Sequence, residues 1–185
     1  MRRNSRASKI SLTFIGLFVA IILFFQNCSN KHEAFFLEAQ LSELHGYMDH
    51  RDILNDEVSK SDVAWHIDHS LKVINRLYDT LQLSNPDDYA WNLNFTRMAV
   101  WVSGAIPRGR AQAATSVVPP ENIKTEDIIS QMDEAKSKLN SAMQLDENSN
   151  FNHPVFGMLD RDGTLRFIEI HTNHHLKIIR DILEE

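Results

Sequence analysis

Two stretches of this chain place apolar residues at the three- and four-residue steps of an α-helix, and they limit the fold more than any other feature. In the first, the inward positions are Val63, Ile67, Ser70, Ile74, Leu77 and Leu81. In the second, they are Ile168, His171, His175, Ile178 and Ile182. Such a stripe buries one side of a helix against a core. The sequence therefore predicts long amphipathic helices that pack on one another.

Helical patterns also cover most of the chain between these two stretches. We predict further helices beginning at Glu33, running from about Tyr89 to Ala105, and beginning near Thr125. No stretch shows the alternation typical of a β-strand. The predicted fold class is therefore all-α, with one helical bundle domain spanning 33–185.

Small polar residues precede several of these helices and are candidates for capping their N-termini. Ser61 or Asp62 is expected to cap the helix that carries the first stripe. Thr125 and Thr164 are the predicted caps of the last two helices.

The N-terminal residues form a basic cluster followed by an apolar run. The cluster is Arg2, Arg3, Arg6 and Lys9, and the sixteen residues 10–25 carry no charge. This layout is typical of a secretory signal or a signal anchor, and no A-x-A cleavage site follows it. About 17 to 25 apolar residues are needed to span a bilayer, so the run is close to the lower limit. We predict a single-pass anchor over 1–28, with the remaining domain on the extracytoplasmic side.

Cys28 follows the apolar run directly and is the only cysteine of the chain. A lipoprotein signal also ends in a cysteine, so lipid attachment at Cys28 is the alternative to an uncleaved anchor. One cysteine cannot form an internal disulfide. Folding is therefore expected to rest on core packing or on a metal.

The charge balance excludes one class of partner. The 185 residues carry a formal net charge of −6, and the only concentrated basic cluster belongs to the predicted anchor. Nucleic acid is therefore not an expected partner.

Histidines interrupt the apolar stripe of the last helix, in "EIHTNHHLKII". His171 and His175 are four residues apart, which puts both imidazoles on one face about 6 Å apart along the axis. His174 points roughly 100° away from His175. Two buried neutral histidines with separate hydrogen-bond partners would explain the pair equally well. A pair at this spacing can also chelate one metal ion.

A third ligand is expected from another helix, and the segment "AWHIDHSL" offers two candidates. His66 and His69 are three residues apart, and the helical period does not choose between them. Either could instead be a solvated surface histidine. Three imidazoles with open positions are typical of a catalytic or ligand-binding site rather than a closed structural one.

Five other residues have weaker signals. Asp68 and Glu169 each neighbour a candidate ligand, where a carboxylate could orient an imidazole, act as a base, or simply be solvated. The aromatic residues Trp91, Trp101 and Phe95 are expected in the core.

Two stretches of the chain resemble a known family. The segment "HPVFGMLDRDGTLRFIEIHTNHHLKII" is similar to the HPxFG…HTxHHL motif of one branch of the DinB/YfiT-like superfamily, which is catalogued as a domain of unknown function. The segment "SDVAWHIDHSL" is similar to a helix opening of the same superfamily. The resemblance spans roughly 33–185 and implies a four-helix bundle that binds a metal.

The resemblance also implies a ligand set. His69, His171 and His175 fall on the metal-binding positions of the family, whereas His66 has no counterpart there. Ser61 replaces the tryptophan of the family pattern. A divalent ion, nickel or zinc, is the implied cofactor, and a homodimer is implied by analogy with the superfamily.

His153 falls in the His-Pro turn of the same family motif. It is expected either to support the metal ligands or to stabilise the turn.

The predicted function is a membrane-anchored, metal-binding protein that acts as a metal-dependent hydrolase or transferase on an unknown small molecule. A non-enzymatic binding or structural bundle is one alternative. A thiol-dependent S-transferase is another, because some superfamily members use low-molecular-weight thiols. The predicted export argues against it, since such thiols belong to the cytoplasm.

Overall fold

A computed structural model describes residues 37–109 and 112–184 of the chain. Five α-helices account for most of these residues, consistent with the predicted all-α class. They are α1 (Glu38–Gly46), α2 (Val63–Leu83), α3 (Phe95–Ser103), α4 (Thr125–Ala142) and α5 (Arg161–Leu183). Short 3₁₀ turns lie at Tyr47–His50, Pro86–Asp88 and Thr115–Val117. Strands β1 (Phe151–His153) and β2 (Gly157–Leu159) form an antiparallel hairpin, which no sequence pattern predicted.

The two predicted stripes meet in the core. Helix α2 packs against both α4 and α5, and α1 packs against α5. Leu71 and Ile74 of α2, Ile128 of α4, and Ile168 and Leu176 of α5 are all completely or almost completely buried. Burying each of these side chains stabilises the fold by about 1.5–3 kcal/mol. Ile74 and Ile168 belong to the predicted stripes, whereas Leu71, Ile128 and Leu176 add core contacts that the stripes did not include.

The start of α2 confirms Asp62 as its cap. The Asp62 carboxylate accepts a hydrogen bond from the Trp65 amide at 2.8 Å. The amides of Val63 and Ala64 donate to the Ile53 and Arg51 carbonyls of the preceding loop. These bonds satisfy the free amides of the first turn, so α2 enters the core with its position fixed.

The caps predicted for α4 and α5 are wrong. Helix α5 begins one turn earlier, because the Asp160 carboxylate accepts from the Gly163 amide at 2.7 Å, and Thr164 lies inside the helix. Thr125 is the first residue of α4 rather than its cap. Its hydroxyl accepts a hydrogen bond from the Arg51 guanidinium at 2.5 Å, which ties α4 to the loop before α2.

Helix α3 differs most from the prediction. It begins at Phe95, and the residues from Tyr89 to Asn94 are not helical. Trp91 is 70% exposed and Phe95 is 76% exposed, so their predicted core location is wrong.

The attachment of α3 to the rest of the domain is narrow. The buried side chain of Val100 anchors it, and the Trp101 ring packs edge-on against Phe156 with the ring centroids 5.5 Å apart.

The predicted anchor, residues 1–28, lies outside the described residues. Among the helices that the structure describes, none is long and apolar enough to cross a membrane.

Candidate metal centre

Three histidines from two helices converge between α2 and α5. His69 comes from α2, and His171 and His175 come from α5. One ring nitrogen from each residue lies within 4.8 Å of the others. His69 and His175 are buried, and His171 is half-buried. The three residues that the sequence proposed as ligands are therefore close enough to hold one ion.

The pair on α5 has the spacing of two ligands. The Nε2 atoms of His171 and His175 are 3.3 Å apart, as the four-residue step along one helix face predicts. Two imidazoles bound at about 2.0 Å to a tetrahedral ion would place their nitrogens about 3.3 Å apart. The His69 ring lies against both, with centroids 5.2 Å from His171 and 4.8 Å from His175.

A backbone carbonyl sets the orientation of His69. Its Nδ1 is 2.8 Å from the Val117 carbonyl, so Nδ1 carries the proton and donates it. The Nε2 lone pair is then free to bind a metal. The Trp65 indole stacks on the His69 ring with centroids 4.8 Å apart and an interplanar angle of 22°. This contact covers one face of the imidazole.

His66 is buried beside the three histidines but does not belong to the group. Its Nδ1 is 3.0 Å from Nδ1 of His175, and its Nε2 is 2.9 Å from the Ser59 hydroxyl oxygen. Both of its ring nitrogens therefore have protein partners. His69 therefore belongs to the three-histidine group, and His66 lies behind it against His175. The helical period could not distinguish these two positions.

The pKa values of these histidines are lowered, chiefly by burial. Burial and the neighbouring imidazole of His69 lower the pKa of His66 to about 4. The pKa values of His171 and His175 fall well below 6.5 for the same reasons. Burial also lowers the pKa of His69, although its bond to the Val117 carbonyl opposes the shift. All four imidazoles are therefore neutral at neutral pH, which is the form that binds metals.

The donor set fits a divalent transition metal. The group consists of imidazoles alone, which suit zinc, nickel, copper and iron better than the hard cations calcium and magnesium. Within the described part of the chain, the buried Nδ1 of His171 has no hydrogen-bond partner. An imidazole buried without full pairing destabilises the fold by about 1–3 kcal/mol, so packing alone gives no reason for a histidine here.

The Asp68 carboxylate is bound by residues outside the group of histidines. It is 1% exposed, accepts from the Gln131 amide at 2.6 Å, and forms an ion pair with Lys72. Of the three alternatives for Asp68, the solvated carboxylate is therefore wrong. The residue links α2 to α4, and its charge raises the pKa of His69 against the larger effect of burial.

Two other candidates have local structural roles. Glu169 forms an ion pair with Arg166 at 2.5 Å. Nδ1 of His153 accepts hydrogen bonds from the amides of Val155 and Phe156, at 3.0 and 3.2 Å. These two bonds close the turn between β1 and β2, so the turn-stabilising alternative for His153 is the one that the geometry favours.

The partners of the histidines were largely missed from the sequence. The Val117 carbonyl is a backbone group and has no side-chain signature. Ser59 precedes α2 in an irregular segment, where no period indicates a direction. His66 is the one partner that the sequence indicated, because it lies three residues before His69 on the same helix.

In comparisons with known proteins, no family model, curated protein or solved structure matches the chain. Metal binding is therefore inferred from the arrangement of the side chains themselves.

Proposed function

We propose that the protein binds one divalent transition metal through His69, His171 and His175. The observation that carries this proposal is the convergence of one nitrogen from each residue within 4.8 Å, on two helices that pack together. Zinc and nickel are the proposed metals, because neutral imidazoles are good ligands for both.

Three imidazoles leave coordination positions open, which favours a catalytic or ligand-binding role over a purely structural one. We propose a metal-dependent hydrolase or transferase that acts on a small molecule. A divalent ion bound here would supply Lewis-acid polarisation of an oxygen atom. His69 is held for this role by the Val117 carbonyl, and Trp65 keeps water from one face of its ring.

The wider assignment rests on the sequence motifs. We propose that the domain is a DinB-like four-helix bundle in which α1, α2, α4 and α5 are the bundle helices. The packing of α2 on α4 and α5, and of α1 on α5, supports this topology. The basic and apolar N-terminal segment supports a membrane anchor with the domain outside the cytoplasm. A homodimer is the proposed assembly by analogy.

Metal content tests the proposal directly. We would measure zinc and nickel by mass spectrometry in the purified full-length protein and in the His171→Ala/His175→Ala variant. The matched control is His45→Ala/His50→Ala, which removes two exposed histidines. The wild type and the control are expected to hold about one ion per chain, and the first variant to hold none. Equal metal content in all three proteins would refute the proposal.

The effect of removing the metal separates an enzyme from a structural bundle. A chelator is expected to abolish turnover in a hydrolase screen while leaving the helical circular dichroism signal in place. If the chelator instead unfolds the domain and no turnover is found in the loaded protein, the metal is structural.

A further inference from the structure

His66 is a fourth buried imidazole beside the three proposed ligands. It is 4% exposed, and each of its ring nitrogens faces a polar atom. One neighbour is Nδ1 of His175, and the other is the hydroxyl of Ser59. His66 therefore bridges a proposed metal ligand and the loop that precedes α2.

The two distances fix the direction of the hydrogen bonds once His175 uses Nε2 as its ligand atom. The Nε2 atom of His175 faces Nε2 of His171, so the His175 proton must reside on Nδ1. Nδ1 of His175 then donates to Nδ1 of His66 at 3.0 Å. His66 must in turn carry its proton on Nε2, and it donates to the Ser59 oxygen at 2.9 Å.

Ser59 closes this chain of hydrogen bonds. Its oxygen accepts from the Ser61 amide at 3.0 Å as well as from His66. Both lone pairs of the hydroxyl are then occupied, which holds the Ser59 side chain in one orientation. The result is a continuous path of directed bonds from the backbone before α2 to a proposed metal ligand on α5.

The three proposed ligands are not supported equally. The Nδ1 atom of His69 has a backbone carbonyl as its acceptor, whereas the buried Nδ1 of His171 has no acceptor within the described residues. The acceptor for Nδ1 of His175 is the His66 ring, whereas a metal-bound histidine usually donates to a carbonyl or a carboxylate. The orientation of His175 therefore depends on a side chain that can be replaced by mutation.

We propose that His66, held by Ser59, is a positioning residue that fixes the tautomer and ring orientation of His175 and thereby tightens the binding of a divalent cation. This inference rests on the proposed three-histidine site. His66 is not assigned as a ligand, because both of its nitrogens are committed to other partners.

The experiment compares cobalt binding in full-length variants by titration, with the visible absorption spectrum of the bound ion as a second readout. His66→Leu removes the acceptor and is expected to weaken Co²⁺ binding by about 10- to 100-fold and to change the spectrum. His66→Asn places an amide oxygen where Nδ1 was, and is expected to restore most of the affinity and the wild-type spectrum. His50→Leu, at an exposed site, is the matched control and should bind as the wild type does.

The outcomes separate this inference from the proposed function. If the wild type binds no cobalt, the three-histidine site itself is refuted. If the wild type binds and His66→Leu binds with the same affinity and spectrum, only the role of His66 is refuted. Equal weakening in His66→Leu and His66→Asn would also refute it, because the loss would then not follow the hydrogen bond.

Ser59→Ala provides a second test that leaves His66 in place, for the case in which His66→Leu fails to fold. It removes the acceptor of His66 and is expected to weaken cobalt binding by a smaller factor than His66→Leu. Unchanged affinity in a folded Ser59→Ala protein would refute the anchoring role of Ser59.

Discussion

The interface between α2 and α5 and the segment around α3 both reverse the usual distribution of polar and apolar side chains. At the α2–α5 interface, four imidazoles are buried or half-buried in an otherwise aliphatic core. Around α3, the side chains of Trp91, Phe95 and Val102 are 70%, 76% and 79% exposed. Buried polar groups and exposed apolar groups are the two exceptions to ordinary burial that carry information about function. Hydrogen bonds to defined partners orient the buried imidazoles of His66 and His69. Within the described chain, nothing covers the exposed apolar side chains around α3.

The difference also concerns how each region is held. Thirteen of the 21 residues of α2 are buried, but only one of the nine residues of α3 is. The position of the imidazoles is therefore set by a large core, and that of α3 by Val100, Trp101 and the bonds of Arg97 to the hairpin.

The largest expected effect tests this contrast in packing. Ile67→Ala, at a completely buried position one residue from His66, should lower the free energy of unfolding by about 2–5 kcal/mol. Phe95→Ala should change it by less than about 0.5 kcal/mol, because the ring is already in water. Urea unfolding of the two variants measures both values. A large loss for Phe95→Ala would show that a partner covers α3 in solution.

The addition of metal is expected to have the next largest effect on stability. An ion that binds only the folded protein stabilises it by about 2.7 kcal/mol when present at 100 times its dissociation constant. Zinc should therefore raise the thermal midpoint of the wild type and leave that of His171→Ala/His175→Ala unchanged. Differential scanning calorimetry with and without chelator gives the comparison. An equal rise in both proteins would place the bound zinc elsewhere.

Replacing one proposed ligand by an apolar side chain is expected to act in the opposite direction. In the absence of metal, urea unfolding of His171→Leu should give a free energy of unfolding equal to that of the wild type, or higher by up to about 2 kcal/mol. The reason is that an imidazole whose buried Nδ1 has no hydrogen-bond partner within the described residues gives way to a residue that matches the stripe. The same variant should bind metal more weakly. A strong loss of metal-free stability would instead show that His171 serves the core.

The two regions also differ in how far their structure could be predicted from the sequence. The stripe from Val63 to Leu81 is buried throughout, and His171 and His175 lie on one face, because long helices packed in a core obey a single period. Around α3 the helical period predicted burial wrongly, because an apolar residue that remains exposed cannot be told from a buried one in the sequence. Thr164 was a wrong cap for a local reason, because Asp160, one turn earlier, already caps the helix by accepting from the Gly163 amide.

The individual partners of the site could not be derived from the sequence for a different reason. A carbonyl such as that of Val117 is present at every residue, so only the fold can select it. The role of His66 required the distance between two nitrogens on different helices, which no spacing along the chain contains.

The smallest expected effect concerns His153, whose ring stacks on Phe156 of the hairpin turn and packs edge-on against Phe167 of α5. Burial lowers its pKa from 6.5 to about 4. Below pH 6.5 the His153 ring binds a proton in the unfolded chain but stays neutral in the folded one. The free energy of unfolding therefore falls as the pH drops from 6.5 towards 4. His66, with its pKa also near 4, contributes in the same window.

His153→Asn keeps an acceptor for the two turn amides and removes one titrating group. Urea unfolding of metal-free protein from pH 7 to pH 4 should therefore show a shallower decline in this variant than in the wild type. An identical decline would mean that the His153 ring is protonated equally in the folded and unfolded chains, and that burial in the hairpin does not control its charge.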